Sequence, residues 1–351
     1  EQSDSIFVDG IYQGRSRQSL TQFLDIEAVE VLRGPQPTYF GQNAIAGALN
    51  IRSKRAGDTW EGFAQLEAGT RNLIAVEGAA GGPIGDNWGV RIAGKYNQED
   101  GHLDNVVTGG SSGDSEGYAG RITLTGDVTE ALSVALKYET ASVETRGFRL
   151  QTAFCDDDTI AGNPVDPNIP CQAAISQGLG EFQINSNIES GALPVNGLFN
   201  LFGIPAPFRD GSQFNDFNDD TGRVDSDALT FDVTYSFDAF DVDYTFGYSE
   251  YESFRRGDID STPYALLADL GEEEVSQTSH EIRFTSTNSD KFEWMLGAYY
   301  QDTDIDTETN IRFAGFTVPT PLPPVLQGPF LTVHDEDNEW TSVFGLFTYN
   351  F

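Results

Sequence analysis

From Trp60 onward, the sequence repeats segments in which apolar and polar side chains alternate. Each segment has about ten residues, the length that a tilted strand needs to cross a bilayer. The pattern predicts β-strands, because successive side chains of a strand point to opposite faces of its sheet. One segment sets Val90, Ile92, Gly94 and Tyr96 against Arg91, Ala93, Lys95 and Asn97. A soluble antiparallel sandwich alternates in the same way, so the pattern alone leaves a membrane barrel and a sandwich open.

The links between the segments separate these two folds. Short turns at 85–87, 128–130, 238–240 and 288–291 take turns with long links at roughly 98–117, 142–226, 253–275 and 303–338. Membrane barrels have short turns on one side and long loops on the other, which a sandwich does not require. Tyrosines also fall near segment ends, where a ring with a polar tip suits the headgroup layer. They are Tyr96, Tyr138, Tyr235, Tyr244, Tyr248, Tyr299 and Tyr300.

Composition agrees with a membrane barrel and excludes one class of partner. No apolar run approaches the roughly twenty residues of a membrane-spanning helix. Lys and Arg total 20 against 55 Asp and Glu, which gives a net charge of −35. Such a surface repels nucleic acid, so we expect no nucleic-acid partner. Solvated acidic loops explain the charge most simply, and cation capture is the alternative.

Motifs for metal binding or catalysis are not found. Carboxylates cluster at 156–158, at 216–220 and in the series Asp302, Asp304, Asp306 and Glu308, but none has the spacing and central glycine of an EF-hand. The last series continues one strand face, which predicts a strand that leaves the membrane and enters water. GxSxG is absent and the three histidines lie far apart. The sequence therefore predicts no metal site, no cofactor, no catalytic residue and no enzyme activity.

A different pattern precedes the alternating segments, at residues 26–51, IEAVEVLRGPQPTYFGQNAIAGALNI. Ile26, Val29, Val31 and Leu32 predict a buried strand. Gly34-Pro35 must end it, because proline lacks an N–H donor and restricts the residue before it. The small residues that follow allow close approach of the backbone, which suits a compact domain held inside another structure.

This segment resembles the TonB-dependent outer-membrane receptors, in which it precedes a transmembrane barrel. The resemblance is carried by Glu30-Val31-Leu32-Arg33-Gly34-Pro35 followed by Tyr39, Phe40, Gly41, Asn43, Ala44, Gly47, Ala48, Asn50 and Ile51. It implies that residues 1–57 are the C-terminal part of a small α/β plug domain. Residues 58–351 would then be about ten strands of a larger antiparallel barrel, since plugged barrels have about twenty-two strands. We expect a fragment of a longer protein, because an open sheet would leave two bare edges in lipid.

The same resemblance implies a function. Members of the family import scarce, bulky nutrients across the outer membrane of Gram-negative bacteria, driven by the TonB complex of the inner membrane. The expected partners are that complex, outer-membrane lipid and a small-molecule ligand, most simply a ferric siderophore or a similar iron complex. Import of cobalamin or a glycan stays open, as does a passive porin-like or structural barrel. A porin, however, needs no RGP-containing domain ahead of its first strand.

Candidate site residues lie in the predicted plug. By resemblance, Arg33 engages carboxylates of the barrel wall and Glu30 lies in the same motif, so both are expected to act in plug–barrel gating. The expected substrate-binding residues are Tyr12, Arg15, Arg17, Tyr39, Phe40 and Gln42. Guanidinium groups beside tyrosine suit an anionic, planar or chelate-bearing ligand. Alternatively, Arg15 and Arg17 only balance Asp9 and Asp25.

The two cysteines, Cys155 and Cys171, lie in the longest link, 142–226. An external loop is in an oxidising environment, so a disulfide is predicted between them, worth about 3 kcal/mol in the chain-entropy model. The same link contains many aromatic residues between 198 and 217, which predicts a lid over the barrel mouth.

Overall fold

The computed structural model describes residues 4–19, 23–34, 47–105, 111–147, 183–184, 221–258, 267–287, 291–313 and 330–350. A small four-stranded sheet comes first in the chain, with one short helix between its second and third strands. Its elements are β1 (Asp4–Val8), β2 (Ile11–Gln13), α1 (Ser16–Ser19), β3 (Ile26–Arg33) and β4 (Gly47–Ser53). The strand order is β2-β1-β4-β3, with β1 and β4 parallel.

A ten-stranded antiparallel sheet follows. Its strands are β5 (Glu61–Ala68), β6 (Ile74–Ile84), β7 (Trp88–Glu99), β10 (Asp114–Thr129), β11 (Leu132–Arg146), β13 (Thr221–Ser236), β14 (Phe240–Asp258), β15 (Leu267–Ser286), β16 (Phe292–Phe313) and β17 (Phe330–Tyr349). They pair in chain order from β5 to β17. The short strands β8 (Leu103–Asn105), β9 (Ser111–Ser112) and β12 (Gln183–Ile184) form a third sheet. Within the described ranges, no helix has the length and hydropathy needed to cross a membrane.

The predicted alternation is confirmed in the exposure of neighbouring side chains. Arg91 is 3% exposed and Ile92 56%, while Arg121 is 4% exposed and Ile122 46%. One face of the large sheet is therefore apolar and open to the surroundings, and the other is polar and covered. Covered arginines and exposed isoleucines are the arrangement expected of a barrel whose outer face meets lipid.

The short turns between β6 and β7, β10 and β11, and β13 and β14 lie close to their predicted positions at one end of the large sheet, but the strands are longer than predicted. β13 has 16 residues, β15 has 20 and β16 has 22. The strand β16 continues through the acidic series from Asp302 to Glu308, as expected of a strand that enters water. Hydrogen bonds between neighbouring strands need no lipid, so the ladder extends beyond the apolar band.

Tyrosines at the upper edge of the apolar band donate hydrogen bonds to carboxylates above them. Tyr96 Oη lies 2.9 Å from Glu116 Oε1, and Tyr138 and Tyr248 bind carboxylates in the same way. The carboxylates of these last two pairs are Asp227 and Glu250. Tyr299 differs from the prediction: its hydroxyl binds Gln301, a residue of the covered face, because residue 299 has the parity of that face.

The segment that carries the family resemblance forms a strand, as predicted, but its burial was predicted wrongly. β3 ends at Arg33, and Gly34 follows with a φ of +85°, a conformation that favours glycine. Val29 is 50% exposed and Val31 70%. The reason is that β3 is the edge strand of the small sheet, where a strand has only one neighbour.

Candidate functional site

The small sheet packs against the covered face of the large sheet, and two aspartates of the small sheet's turns make the strongest contacts. Asp9 and Gly10 form the β1–β2 turn with φ angles of 50° and 85°, the conformation of a tight Asp-Gly hairpin. The amide of Ser53 donates to Asp9 Oδ1 over 2.7 Å, which leaves Oδ2 directed at Lys137 Nζ, 2.5 Å away. Burial opposes ionisation of Asp9, but Lys137 and Ser53 outweigh it and lower the pKa of this carboxyl.

Asp25 makes a bidentate ion pair with Arg91 of β7. The Nε–Oδ2 distance is 2.6 Å and the Nη2–Oδ1 distance 2.7 Å, and both side chains are 3% exposed. Arg121 of β10 lies beside this pair and donates to the Asp25 carbonyl oxygen over 2.7 Å and to Glu139 over 3.3 Å. We call these six residues the ionic cluster: Asp9, Asp25, Arg91, Arg121, Lys137 and Glu139. The ionic cluster ties the small sheet to β7, β10 and β11.

The ionic cluster was missed at the level of sequence, although one signal was available. Arg91, Arg121 and Lys137 occupy covered-face positions of predicted strands, in a chain with only 20 basic residues. Basic groups on that face need acidic partners, because an unpaired buried charge is costly. The partners themselves could not be named, since Asp25 lies 66 residues from Arg91.

The predicted arginine pair lies on another side of the small sheet, against β14 and β15. Arg17 Nη1 is 3.1 Å from Ser253 Oγ and 3.6 Å from Glu273 Oε1. The Arg15 amide donates to Gln18 Oε1, which fixes the first turn of α1. The alternative that these arginines balance Asp9 and Asp25 is wrong, because those carboxylates belong to the ionic cluster.

Acidic side chains of the upper wall face this arginine pair. Burial and a hydrogen bond to Glu273 raise the pKa of Tyr251, a group beyond the apolar band. Hydrogen bonds from Asn338 and His334, with a further contribution from Arg15, lower the pKa of Glu336. The surface is therefore a set of charged and polar groups that can exchange an internal partner for a polar ligand.

Tyr12 lies just below the arginine pair. Its ring is buried, with its centroid 5.6 Å from that of Phe7. Its backbone oxygen accepts a hydrogen bond from Gln277 Nε2 over 2.9 Å, and Gln301 donates in turn to Gln277 over 3.3 Å. We call the Tyr12–Gln277 contact the gate. Ile11 packs beside it against β14, where a Cβ added at Gly247 would lie 2.9 Å from Ile11 Cγ1.

A cavity of about 600 Å³ lies between the small sheet and the strands β13 to β17, towards the end with the short turns. We call it the interface cavity. Aromatic rings and charged groups line it, including Phe7, Tyr12, Arg52, Arg283, Tyr299 and Phe344. Arg55 and Asp232 form an ion pair of 2.6 Å at its margin. In the described part of the chain, no group of His, Cys, Asp or Glu is placed to hold a metal ion.

The gating candidates lie apart from the ionic cluster. Glu30 accepts a hydrogen bond from Asn50 over 3.0 Å and is 3.6 Å from Arg52. Arg33 is exposed and forms no ion pair with any described residue. Tyr39, Phe40, Gln42, the Cys155–Cys171 bridge and the lid predicted in 142–226 lie outside the described residues, so these remain predictions. The predicted boundary after residue 57 falls between β4 and β5.

Comparisons with known proteins identify both sheets. Residues 1–48 match the family model of the TonB-dependent Receptor Plug Domain. The pesticin receptor of Yersinia pestis is 32% identical over 82 residues, 23% of this chain and 12% of that relative. The vitamin B12 transporter BtuB of Vibrio vulnificus is 26% identical over 149 residues, 42% of this chain and 23% of that relative.

The structure is also similar to that of the ferric yersiniabactin uptake receptor FyuA from Yersinia pestis. The TM-score is 0.62 at 15% identity, over 98% of this chain and 52% of that one. The likeness confirms the predicted fold class, a transmembrane antiparallel β-barrel preceded by the end of a plug domain. The chain spans about half the length of this receptor and matches smaller shares of the curated relatives. These relatives are receptors and transporters, in agreement with the prediction that the chain is not an enzyme.

Proposed function

Since this chain combines the plug domain and part of the barrel of a TonB-dependent outer-membrane receptor, we propose that it imports a ferric siderophore or a similar iron complex. Its location is the outer membrane of a Gram-negative bacterium. The observation that carries the proposal is a plug domain attached to the inner wall through the ionic cluster. A passive pore gains nothing from a domain fixed in its lumen by buried charges. The energy for moving the plug would come from the TonB complex of the inner membrane.

Iron is favoured as the cargo by the name of the structurally similar receptor, which takes up ferric yersiniabactin. Cobalamin is the second candidate, because the match to the vitamin B12 transporter covers more of this chain than the match to the pesticin receptor. Uptake of labelled ferric chelates and labelled cyanocobalamin by cells with the full-length receptor separates the two. We expect iron uptake that stops when TonB is deleted. TonB-independent entry of both labels would contradict import and favour a passive pore.

The arginine pair is our proposed ligand contact. A carboxylate or catecholate oxygen of an iron chelate would compete with Glu273 for Arg17, because guanidinium forms directional, charge-assisted bonds to such oxygens. Tyr12, Tyr39, Phe40 and Gln42 are proposed to contact the same ligand. Arg17→Ala in the full-length receptor should then weaken ligand binding about tenfold, or about 1.4 kcal/mol. Arg71→Ala, at an exposed ion pair with Glu99 of the large sheet, is the matched control.

Glu30 and Arg33 are proposed to act in gating rather than in ligand binding. Arg33→Ala should lower uptake and leave surface binding of the ligand nearly intact. Equal loss of uptake and binding in a correctly assembled receptor would count against a role in transmission. The disulfide between Cys155 and Cys171 is proposed as a brace for the longest external loop.

A further inference from the structure

A histidine lies among the aromatic rings of the apolar outer face. His280 of β15 follows Ser279, which is 2% exposed on the covered face, so the imidazole is directed outward. In the strand register, His280 is opposite Phe246 of β14 and Tyr300 of β16, just below the upper edge of the apolar band. A polar group that faces hydrocarbon is costly unless it is hydrogen-bonded, so this position calls for a partner.

One nitrogen of His280 has such a partner. Tyr244 Oη lies 2.8 Å from His280 Nδ1. The hydroxyl donates to Nδ1, since the imidazole nitrogen is the stronger acceptor, and the ring hydrogen is thereby assigned to Nε2. The rings of Tyr244, Phe246 and Tyr300 lie around the imidazole, with centroids 6.2, 5.2 and 6.2 Å from its own. Among the described residues, none accepts a hydrogen bond from Nε2, which is therefore a donor available to a lipid.

A short polar strip continues from His280 towards the external end of β15. Ser276 and Thr278 alternate with residues of the covered face, so their hydroxyls share the outward face with the imidazole. We call these three residues the β15 strip: Ser276, Thr278 and His280. Carboxylates border the strip on both neighbouring strands, since Ser276 is opposite Glu250 and Asp304, and Thr278 is opposite Asp302.

The arrangement suits a headgroup that carries both charges. The imidazole N–H and the hydroxyls can donate to phosphate oxygens, while the bordering carboxylates can accept from an ammonium. Neighbouring strands are about 4.8 Å apart, which a two-carbon link between phosphate and amine can span. Asp302 and Asp304 would repel a headgroup with phosphate alone, and a simple cation would leave the donor of His280 unused. Phosphoethanolamine meets both requirements.

We propose that the β15 strip binds a phosphoethanolamine group on the lipid A part of lipopolysaccharide. The phosphate lies against His280 Nε2 and the Thr278 hydroxyl, the ammonium against Asp302 and Asp304, and an acyl chain packs on the ring of Phe246 below. Long loops mark the external side of such a barrel, so the strip faces the outer leaflet, which lipopolysaccharide forms. The outer wall thus selects amine-bearing lipopolysaccharide over lipopolysaccharide with bare phosphates. This site is independent of the proposed import.

Binding of two lipopolysaccharide samples to the purified, full-length receptor tests the proposal. The samples share their sugars and acyl chains and differ only in phosphoethanolamine on lipid A. Native mass spectrometry in detergent with EDTA measures binding without bridging divalent cations. Wild type should prefer the amine-bearing sample about tenfold. Equal binding of the two samples would overturn the proposal, and so would binding that EDTA abolishes, because a bridging cation would then make the contact.

His280→Phe removes the donor and keeps an aromatic ring at the same place. Its affinity for the amine-bearing sample should fall at least fivefold. Leu136→Phe is the matched control, because Leu136 lies on the outer face in the same row of the sheet, three strands from β15, and its affinity should change less than twofold. A His280→Phe receptor that binds like wild type would overturn the role of the β15 strip.

The ammonium side is tested separately, with Asp302→Asn combined with Asp304→Asn. Both side chains lie above the apolar band, so this variant tests the site even where His280→Phe does not assemble. The preference for the amine-bearing sample should fall at least fivefold, and an unchanged preference would overturn the proposal. Phosphatidylethanolamine carries the same headgroup on a glycerophospholipid. Equally tight binding of that lipid to wild type would overturn lipopolysaccharide as the occupant.

Discussion

The two sides of the plug differ in what it takes to separate them from the wall. On the β7–β11 side, Asp25 and Asp9 are buried against arginine and lysine, and removing one partner of such a pair costs about 3–5 kcal/mol. On the β14–β15 side, the gate is a neutral hydrogen bond of the kind worth about 0.5–1.5 kcal/mol. Removing a single partner should therefore loosen the plug more on the first side than at the gate.

The plug is thus attached to the wall by charged groups on one side and by a neutral backbone contact on the other. Asp25 and Arg91 form two parallel bonds in a buried site, so this contact fixes both the distance and the orientation of the plug on β7. The Tyr12–Gln277 hydrogen bond fixes the plug at one backbone oxygen, beside the interface cavity. Four measurements test this comparison.

The largest effect is expected from Asp25→Asn. The substitution removes the buried carboxylate partner of Arg91, while Arg121 keeps Glu139, so the free energy of plug opening should fall by about 3–5 kcal/mol. Hydrogen exchange of β1–β4 amides in the detergent-purified, full-length receptor measures this energy. Asp86→Asn, on an exposed turn, should change nothing. An Asp25→Asn plug that exchanges like wild type would show that the ionic cluster does not hold the plug.

Acidification, which acts on Asp9 of the ionic cluster, should have the next largest effect. The pKa of Asp9 is lowered below its ordinary value of 3.8, so its stabilisation is present at neutral pH and is lost as the pH falls through the lowered pKa. Protection of β1 amides should decline over that acidic range. Lys137→Met removes the partner, and its plug should show lower protection with little further loss on acidification. Equal acid dependence in both proteins would exclude Asp9 as the titrating group.

A smaller effect is expected at the gate. Gln277→Ala removes the donor to the Tyr12 carbonyl, so opening of β2 should become easier by about 1 kcal/mol. Thr145→Ala is the control, since the Thr145 hydroxyl donates to the Gly222 carbonyl within the wall and has no part in the gate. Hydrogen exchange at β2 distinguishes them. An equal change in β3 would show general loosening of the plug instead of a local gate.

The smallest effect is expected from Arg55→Ala at the margin of the interface cavity. Its ion pair with Asp232 has side chains 49% and 23% exposed, and such pairs contribute about 0–1 kcal/mol. The free energy of plug opening should change less in Arg55→Ala than in Gln277→Ala. A decrease in this free energy as large as that of Asp25→Asn would show that the plug is held as strongly beside the cavity as at the ionic cluster. The two sides would then not differ.

The large sheet could be predicted from the sequence because alternation is a local property. Arg91 and Ile92 are neighbours in the chain, and their parity already assigns one to the lumen and the other to lipid. Strand length was underestimated, because apolarity marks the part of a strand in lipid whereas hydrogen bonding sets where the strand ends. β16 shows this, since its acidic series continues the ladder.

The site was predictable only in part. Sequence reasoning selected Arg15 and Arg17 for their rarity, and the structure places Arg17 against Ser253 and Glu273 of the wall. It could not find these partners, because they lie more than 230 residues away in the chain, 236 in the case of Ser253. The same holds for the ionic cluster, whose members are set by how the plug is seated and not by any spacing along the sequence.

The tyrosine–carboxylate pairs of the outer wall restrict how deeply the protein can be inserted in the membrane. Tyr138 and Tyr248 lie at the upper edge of the apolar band, and their carboxylate partners Asp227 and Glu250 lie directly above them. Sinking by two residues of strand, or about 5 Å along the membrane normal, would immerse several carboxylates in hydrocarbon at once. A shift of the protein outward by the same amount would expose the isoleucines below to water. The pairs therefore fix the depth at which the protein is inserted in the membrane.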